Sequence, residues 1–433
     1  KPAESPGAGD GTTKSQVSAT LKQPEAGSRK LEAQTRTDSL ELATSSLQLP
    51  PLAAYIHIPW CVKKCPYCDF NSHTSHDALP EAAYVDALIE DLEQDLQALD
   101  GLPARPLTSI FFGGGTPSLM PPALAGALIE EAARLWGLAD DCEITLEANP
   151  TSYEARKFAD FRAVGVNRVS LGVQSLHDEA LAFLGREHSA AEAMAALESA
   201  QGLFGRVTFD LIYARPGQSV AEWEAELARA LEFGTEPLSL YQLTIEPGTA
   251  FWDRQRSGGL RGLPDTDLAA DMYDMTQEMT ARAGFGAYEV SNHAAAGAES
   301  RHNMIYWRQG DYAGIGPGAH GRLTLAGTRM ATEALHAPGA WLHAVENASD
   351  FETVTVLSQN GQLSEHIMMG LRLTEGLDIE RLERFPDIPL NEQAVSELEA
   401  LGMLWRREGR LGATMQGRLV LNSVIAELMP VFV

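Results

Sequence analysis

Cysteine is scarce in this chain, with four among 433 residues. That number cannot build a disulfide framework, and a chain of this length with 44% hydrophobic residues buries a core without one. Positive charge is also short: 33 Lys and Arg stand against 59 Asp and Glu, a formal net charge of -26. Such a balance repels a polyanion as a whole, which excludes broad phosphate-backbone binding and makes nucleic acid a poor partner. No run of about 18 apolar residues appears, so no transmembrane segment is expected, and no short hydrophobic core of a secretory signal is visible. Residues 1–50 contain no Phe, Trp or Tyr and mix Ser, Thr, Gly, Pro and Ala with six basic and six acidic residues. They are expected to form a disordered N-terminal tail, because they offer too little apolar surface to offset ordering entropy. The charge mixture argues against an acid-poor organellar transit peptide.

What is present begins at "LAAYIHI". Short β-rich runs recur between helical stretches: "SIFFGG" near 109, "EITLEA" near 143, "RVSLGV" near 168, "RVTFDLIY" near 206 and "PLSLYQL" near 237. Between the first two runs, Tyr84, Leu88, Leu92, Leu96 and Leu99 share one face of an amphipathic helix from 81 to 99, with Asp and Glu opposite. After Pro121 and Pro122, Leu124, Leu128, Ala132 and Leu135 form a second stripe that Gly137 should stop. Six strand and helix units in succession predict an α/β fold with a parallel sheet, doubly wound or curled into a partial (β/α)6 barrel, with chemistry at the C-terminal strand ends. The chemically interesting residues fall there: Cys61, Gly113 to Gly115, Glu147, Gln174 and Asp210.

Beyond about residue 260 the pattern changes. A helix from Asp267 to Arg282, a strand "GAYEVS" and an irregular Gly-rich stretch "GDYAGIGPGAHGR" are expected. Residues 361–433 read as helices with the hairpin "LWRREGRLGAT", a winged-helix-like module. Its Arg406, Arg407, Arg410 and Arg418 suit packing or docking better than DNA, given the overall acidity.

Three of the four cysteines, Cys61, Cys65 and Cys68, crowd into "CVKKCPYC". The clustering points to a reduced compartment, here the cytoplasm, and to a metal or redox site. Three thiolates hold zinc if His57 or His73 completes a tetrahedron. The alternative is an iron-sulfur cluster, whose four irons leave one site open when the protein supplies three thiolates. Lys63 and Lys64 read as a solvated face, and Cys142 as a small buried residue.

CxxxCxxC with the aromatic Tyr67 before its third cysteine resembles the signature of the radical SAM superfamily. "YIHIPWC", "GGGTPS", "EANP", "GVNRVSLGVQS" and "LGREH" resemble the oxygen-independent coproporphyrinogen oxidase-like group within it, from about residue 51 to the end. The resemblance implies a radical SAM partial barrel over 51–260 with a barrel extension over 261–360. It further implies a 4Fe-4S cluster on Cys61, Cys65 and Cys68 and S-adenosyl-L-methionine (SAM) on its open iron, cleaved reductively to methionine and an organic radical. By the same resemblance Tyr55, Tyr67, Gly114, Gly115, Thr116, Glu147, Gln174, Arg186 and Asp210 hold SAM. Ala214 and Arg215 in "YARPGQS" depart from the group's pattern, where Gly and an apolar residue are usual.

Two kinds of protein exist in that group. The oxidase has a further cysteine two residues after the third ligand, where this chain has Phe70. The heme-chaperone branch lacks it and carries HNxxYW, here His302, Asn303, Tyr306 and Trp307. Imidazole ligates heme iron and aromatic rings pack on a macrocycle, so these residues are expected to handle heme. The function implied is binding of heme and its transfer to heme-requiring acceptor proteins, with no catalytic side chain assigned. Porphyrinogen decarboxylation and radical modification of nucleic acid are the alternatives.

Overall fold

The computed structural model describes residues 50–74, 81–98, 105–235, 237–325, 327–382, 385 and 390–430. The expected disordered tail lies outside the described residues, apart from Pro50, as do Leu99 and the side chain of Leu96. The remainder belongs to one unit, Leu49–Val433.

Six strands carry the expected alternation: β1 (Leu52–Ile58), β2 (Leu107–Gly114), β3 (Leu138–Ala148), β4 (Arg168–Gln174), β5 (Arg206–Tyr213) and β6 (Leu238–Gln242). They pair in parallel in that order. Side chains alternate across a strand, so β1 sends Leu52, Ala54, Ile56 and Ile58 into the core under the helices and turns Ala53, Tyr55 and His57 to the concave face. The full sheet continues through β7 (Gly286–Ala287), β8 (Asn292–Ala294), β9 (Asp311–Ile315), β10 (His320–Leu325), β11 (Thr328–Ala334) and β12 (Glu352–Val356). Its order is β12-β11-β10-β9-β1-β2-β3-β4-β5-β6-β8-β7, a mixed sheet with two free edges, as a partial barrel requires.

Three local expectations need correction. The glycine-rich stretch after Gly310 is not irregular: it contains β9, a seventh parallel strand on the outer side of β1, and β10. Its glycines allow close approach, since a Cβ on Gly314 would strike the His320 main chain and one on Gly321 would strike Thr332. "GAYEVS" forms only the two-residue β7 before the chain bends. Asp91 and Asp95, expected on the solvent face of helix α1 (Glu81–Ala98), are 1% and 2% exposed, and the Asp91 carboxylate accepts the Gly316 N–H at 2.8 Å. That bond satisfies the turn leaving β9, where Gly316 has φ +98. Burial pushes both carboxyl groups well above the usual range.

Elsewhere the local reading holds. Helix α2 (Pro122–Trp136) buries Leu128 and Ala132, half-buries Leu124 and Leu135, and ends at Gly137 with φ +73. Helices α3 (Ala190–Leu203) and α4 (Val220–Leu231) begin with capping boxes, Ser189 with Glu192 and Ser219 with Glu222. Helix α5 (Thr266–Arg282) matches the expected span within a residue. Helix α6 (Arg301–Trp307) carries HNxxYW and is capped by Ser300.

The C-terminal segment has its own core, including Ile367, Leu371, Val395, Leu411 and Ile425, and a small antiparallel sheet of β13 (Leu377–Asp378), β14 (Leu404–Arg407) and β15 (Arg410–Ala413). Its arginines serve this packing. Arg406 pairs with Glu392, Arg407 lies over the Trp405 ring, Arg410 reaches Glu375, and Arg418 donates to the main-chain oxygens of Glu289 and Arg372.

Candidate functional site

The C-terminal ends of β1 to β5 open onto one cleft. Its wall contains Cys61, Cys65, Tyr67 and Cys68 from the loop after β1, Gly114, Gly115 and Thr116 after β2, Glu147 and Asn149 from the end of β3, Gln174 from β4, Arg186, and Asp210 from β5. The fold thus gathers eleven of the twelve residues expected around the cluster and SAM. Tyr55 is the exception. It lies on the concave face below the cleft, with its hydroxyl 2.9 Å from His57 Nδ1.

Each wall element is fixed locally. The cysteine loop turns through a Cys68 N–H to Cys65 carbonyl bond of 3.1 Å and is stitched back by a bridge between Trp60–Cys61 and His73–Thr74. The glycines after β2 lie where a side chain has no room: a Cβ on Gly115 would meet the Trp60 carbonyl oxygen at 2.6 Å, and one on Gly114 would meet the His57 ring at 2.6 Å. Backbone there can approach a ligand closely. Arg186 donates to Cys65 Sγ at 3.5 Å and to the Gly172 carbonyl at 2.8 Å, while the Thr116 hydroxyl lies 3.5 Å from Cys61 Sγ.

The carboxylates set the electrostatics. Glu147 accepts the Gly114 N–H at 3.3 Å. Burial, and then the neighbouring Asp210 carboxylate, push Glu147 up to about 8. Burial likewise raises Asp210 to about 6, against the stabilising influence of the Ser239 hydroxyl and Arg186. Two half-buried acids, neither of them in a salt bridge among the described residues, suit a ligand that brings an ammonium or sulfonium group.

All three thiols are half-buried and unpaired. Tetrahedral zinc would hold its sulfurs about 3.8 Å apart, from a bond length near 2.3 Å. The three Sγ atoms do not form a set within 4.8 Å of one another. Both candidate fourth ligands are engaged elsewhere: His57 Nε2 with the Asn71 carbonyl and His73 Nε2 with Asn71 Oδ1, each at 2.9 Å. The donor set therefore fits a larger iron-sulfur cluster better than one zinc ion.

The HNxxYW residues stand apart from the cleft. Helix α6 packs on the concave face against β1, β2 and β9, with Ile305 and Tyr306 beside Ala53 and Tyr312. His302 is 8% exposed, stacks on Phe111 and has no partner for Nδ1. Burial lowers it to about 3, so the ring is neutral at physiological pH. Asn303 donates to the Tyr288 hydroxyl at 3.1 Å, Tyr306 stacks on Tyr312 at 4.0 Å, and Trp307 is half-buried. The segment is anchored by Glu143, which accepts from Arg168 (3.0 Å), Arg206 (2.5 Å) and the Arg301 N–H (3.0 Å).

Sequence reasoning missed Asn149 and Gly172. Asn149 donates to the Thr116 hydroxyl at 3.2 Å and accepts from Arg186, so it joins two cysteine neighbours; its signal was its place in "EANP". A Cβ on Gly172 would come within 3.3 Å of Arg186. Arg215, the departure from the family pattern, is buried against Glu226 and Ser175, and the preceding Ala214 takes φ +57 where glycine is usual. Cys142 is buried, as expected.

Residues 55–230 match the Radical SAM superfamily, and residues 357–420 match the HemN C-terminal domain. The chain is 40% identical over 389 residues to the heme chaperone HemW of Escherichia coli (strain K12), covering 88% of this chain and 98% of that protein. It is also 40% identical over 389 residues to the mitochondrial radical S-adenosyl methionine domain-containing protein 1 of Bos taurus, with 87% of each chain covered. Among solved structures, the coproporphyrinogen III oxidase HemN of Escherichia coli superposes with a TM-score of 0.73 at 21% identity, over 91% of this chain and 94% of that one. That likeness concerns the fold.

Proposed function

The chain belongs to the HemW family of radical SAM proteins, and we propose that it is a heme chaperone, binding heme beside a SAM-coordinated 4Fe-4S cluster and delivering it to acceptor proteins. The observation that carries this reading is Phe70. It lines the cleft two residues beyond Cys68 and is 59% exposed, at the position where the oxidase branch has a further cysteine.

Cys61, Cys65 and Cys68 hold the cluster in this reading. When bound, the cluster supplies an electron and an open iron for the amino and carboxylate groups of SAM. Main-chain carbonyl oxygens at Gly114 to Thr116 receive the amino group, and Glu147 and Asp210 take the positive charge and ribose hydroxyls. Arg186 holds the Cys65 edge in register through its bond to Gly172. Tyr67, at the cleft wall beside Phe251, closes one side to water.

Heme handling falls to the segment around His302, Asn303, Tyr306 and Trp307. A neutral imidazole with an unshared Nδ1 is the form that ligates iron, which supports His302 as the ligand. Its burial requires α6 to shift before a macrocycle reaches it. The acceptors are heme-requiring proteins. The compartment is one that keeps thiols reduced, with the cytoplasm proposed; no helix among the described residues is long and apolar enough to cross a membrane.

Anaerobically reconstituted protein should be titrated with heme, with and without SAM, and separately supplied with coproporphyrinogen III, SAM and a reductant. Stoichiometric heme retention without porphyrinogen turnover is expected. Sustained protoporphyrinogen formation would show the oxidase reading to be correct.

A further inference from the structure

Outside the cleft, two imidazoles and a carboxylate converge on the antiparallel side of the sheet, beyond β9. Strands β10 and β11 are antiparallel and place His320 directly opposite Glu333. His336, three residues further on, returns beside them at the turn that follows β11. One ligand atom from each of His320, Glu333 and His336 lies within 4.8 Å of the others, and all three side chains are exposed. Neither the thiol cluster nor the HNxxYW segment includes any of them.

The local structure fixes this meeting rather than leaving it to side-chain drift. The two strands set the His320 and Glu333 backbones in register. Gly318, at φ +75, leaves room for His336, whose Nδ1 would lie 3.3 Å from any Cβ added there. That packing leaves Nε2 to face Glu333 Oε1 at 3.1 Å. The His320 and His336 rings meet edge to face, with centroids 6.3 Å apart. Arg322, the cation on the same strand, pairs with Glu365 at 2.9 Å, and its charge also reaches His320 and Glu333.

We propose that His320, Glu333 and His336 form a surface site for one divalent transition-metal cation of the zinc type. Two imidazoles and one carboxylate are the donors that zinc, cobalt and nickel take, whereas calcium and magnesium prefer oxygen-only shells. The cation replaces the proton shared between His336 and Glu333, and exposure leaves its remaining positions to water. The site also has a route to the cysteine loop. Asn71, three residues after Cys68, donates through Nδ2 to the carbonyls of His336 and Pro317, each at 2.9 Å. A bound cation therefore stiffens the turn on which the end of that loop hangs.

The test titrates cobalt(II), as a probe for zinc, into the full chain with its cysteines occupied by the reconstituted cluster. One equivalent per chain is expected, displaced by zinc, with ligand-field bands but no sulfur-to-cobalt charge transfer. The same equivalent is expected in the Cys61→Ser/Cys65→Ser/Cys68→Ser chain, which removes the competing thiols. His336→Ala and His320→Gln should each weaken binding about tenfold or more. His343→Ala, an exposed imidazole outside the cluster, should leave it unchanged. No bound cobalt, charge transfer from sulfur, or undiminished binding in the His320→Gln/His336→Ala double variant overturns the proposal. All these side chains are exposed, so thermal unfolding without metal should match the parent and show that the variants fold.

Discussion

His302 lies nearly flat on Phe111, with ring centroids 4.1 Å apart and planes inclined by 19°. Tyr55 stacks on the same imidazole at 5.7 Å, while its hydroxyl reaches His57 below the cofactor cleft. His302 thus packs against one ring from β1 and one from β2, neither of which lines the cleft.

Replacing His302 with Phe keeps an aromatic ring on Phe111 and removes the imidazole. The expected result is a folded protein with a melting temperature close to the parent and weakened heme retention with an altered Soret band. An unchanged spectrum and affinity would remove His302 as the ligand. His302→Ala serves as the companion, expected to lose about 1 kcal/mol or more of stability through the lost ring contacts as well.

Cys65→Ser should abolish the stable 4Fe-4S absorption after anaerobic reconstitution, because a hydroxyl is a poor ligand for iron-sulfur clusters. Arg186→Ala should leave the ligands in place but remove the donor beside Cys65 Sγ, so a cluster forms with a lowered reduction potential. Electronic absorption and a potentiometric titration distinguish the two outcomes.

Glu143 is 2% exposed and holds Arg168, Arg206 and the first turn of α6. Glu143→Ala leaves one deeply buried guanidinium and one half-exposed one unbalanced, and removes the anchor of α6. A loss of about 3–5 kcal/mol is expected from the buried pair. Chemical denaturation measures it, and hydrogen exchange should localise the loosening to residues 298–307.

Glu147 has an ordinary value of 4.5 and stands at about 8 in the folded chain. Between these values the folded protein keeps a proton that the unfolded chain has released. The contribution of this carboxyl to the stability of the cofactor-free protein therefore falls as pH rises from about 4.5 to about 8, then levels. Glu147→Gln should flatten that part of the stability profile, raising stability over the parent most at the alkaline end. SAM binding brings positive charge to the same carboxyl, so it should release a proton from the parent and fewer from the variant, which calorimetry in buffers of different ionisation heat reports.

Gly115 has no room for a side chain, since a Cβ would press on the Trp60 carbonyl at 2.6 Å. Backbone on both sides cannot yield as a flexible side chain does. Gly115→Ala should cost about 1–3 kcal/mol and displace the turn from the cleft, weakening SAM binding in equilibrium measurements even where the cluster still forms.

Local information made the cluster loop and the parallel core legible. Three cysteines at fixed spacing share a loop whatever the remainder of the chain does, and β-rich runs separated by amphipathic stretches specify strands and helices through side-chain periodicity. The same periodicity failed where burial was decided elsewhere. Asp91 and Asp95 sit at positions that a helical pattern assigns to solvent, but both are buried, and the turn after β9 supplies the Gly316 N–H to Asp91. The segment around Gly314 reads as loop because glycine is a poor strand former. It becomes a strand because β1 offers a free edge and His320 leaves no space for a Cβ.

By itself the sequence determined the thiol set, the strand ends that meet at the cleft and, through Phe70 and HNxxYW, the branch of the family to examine. Only the tertiary structure decided that Asn149 joins Thr116 to Arg186, that His302 stacks on Phe111 below the cleft, and that His320 meets Glu333 and His336. These relations depend on distances between residues far apart in the chain. Periodicity carries no such distances; the curvature of the sheet and the register of its strands set them.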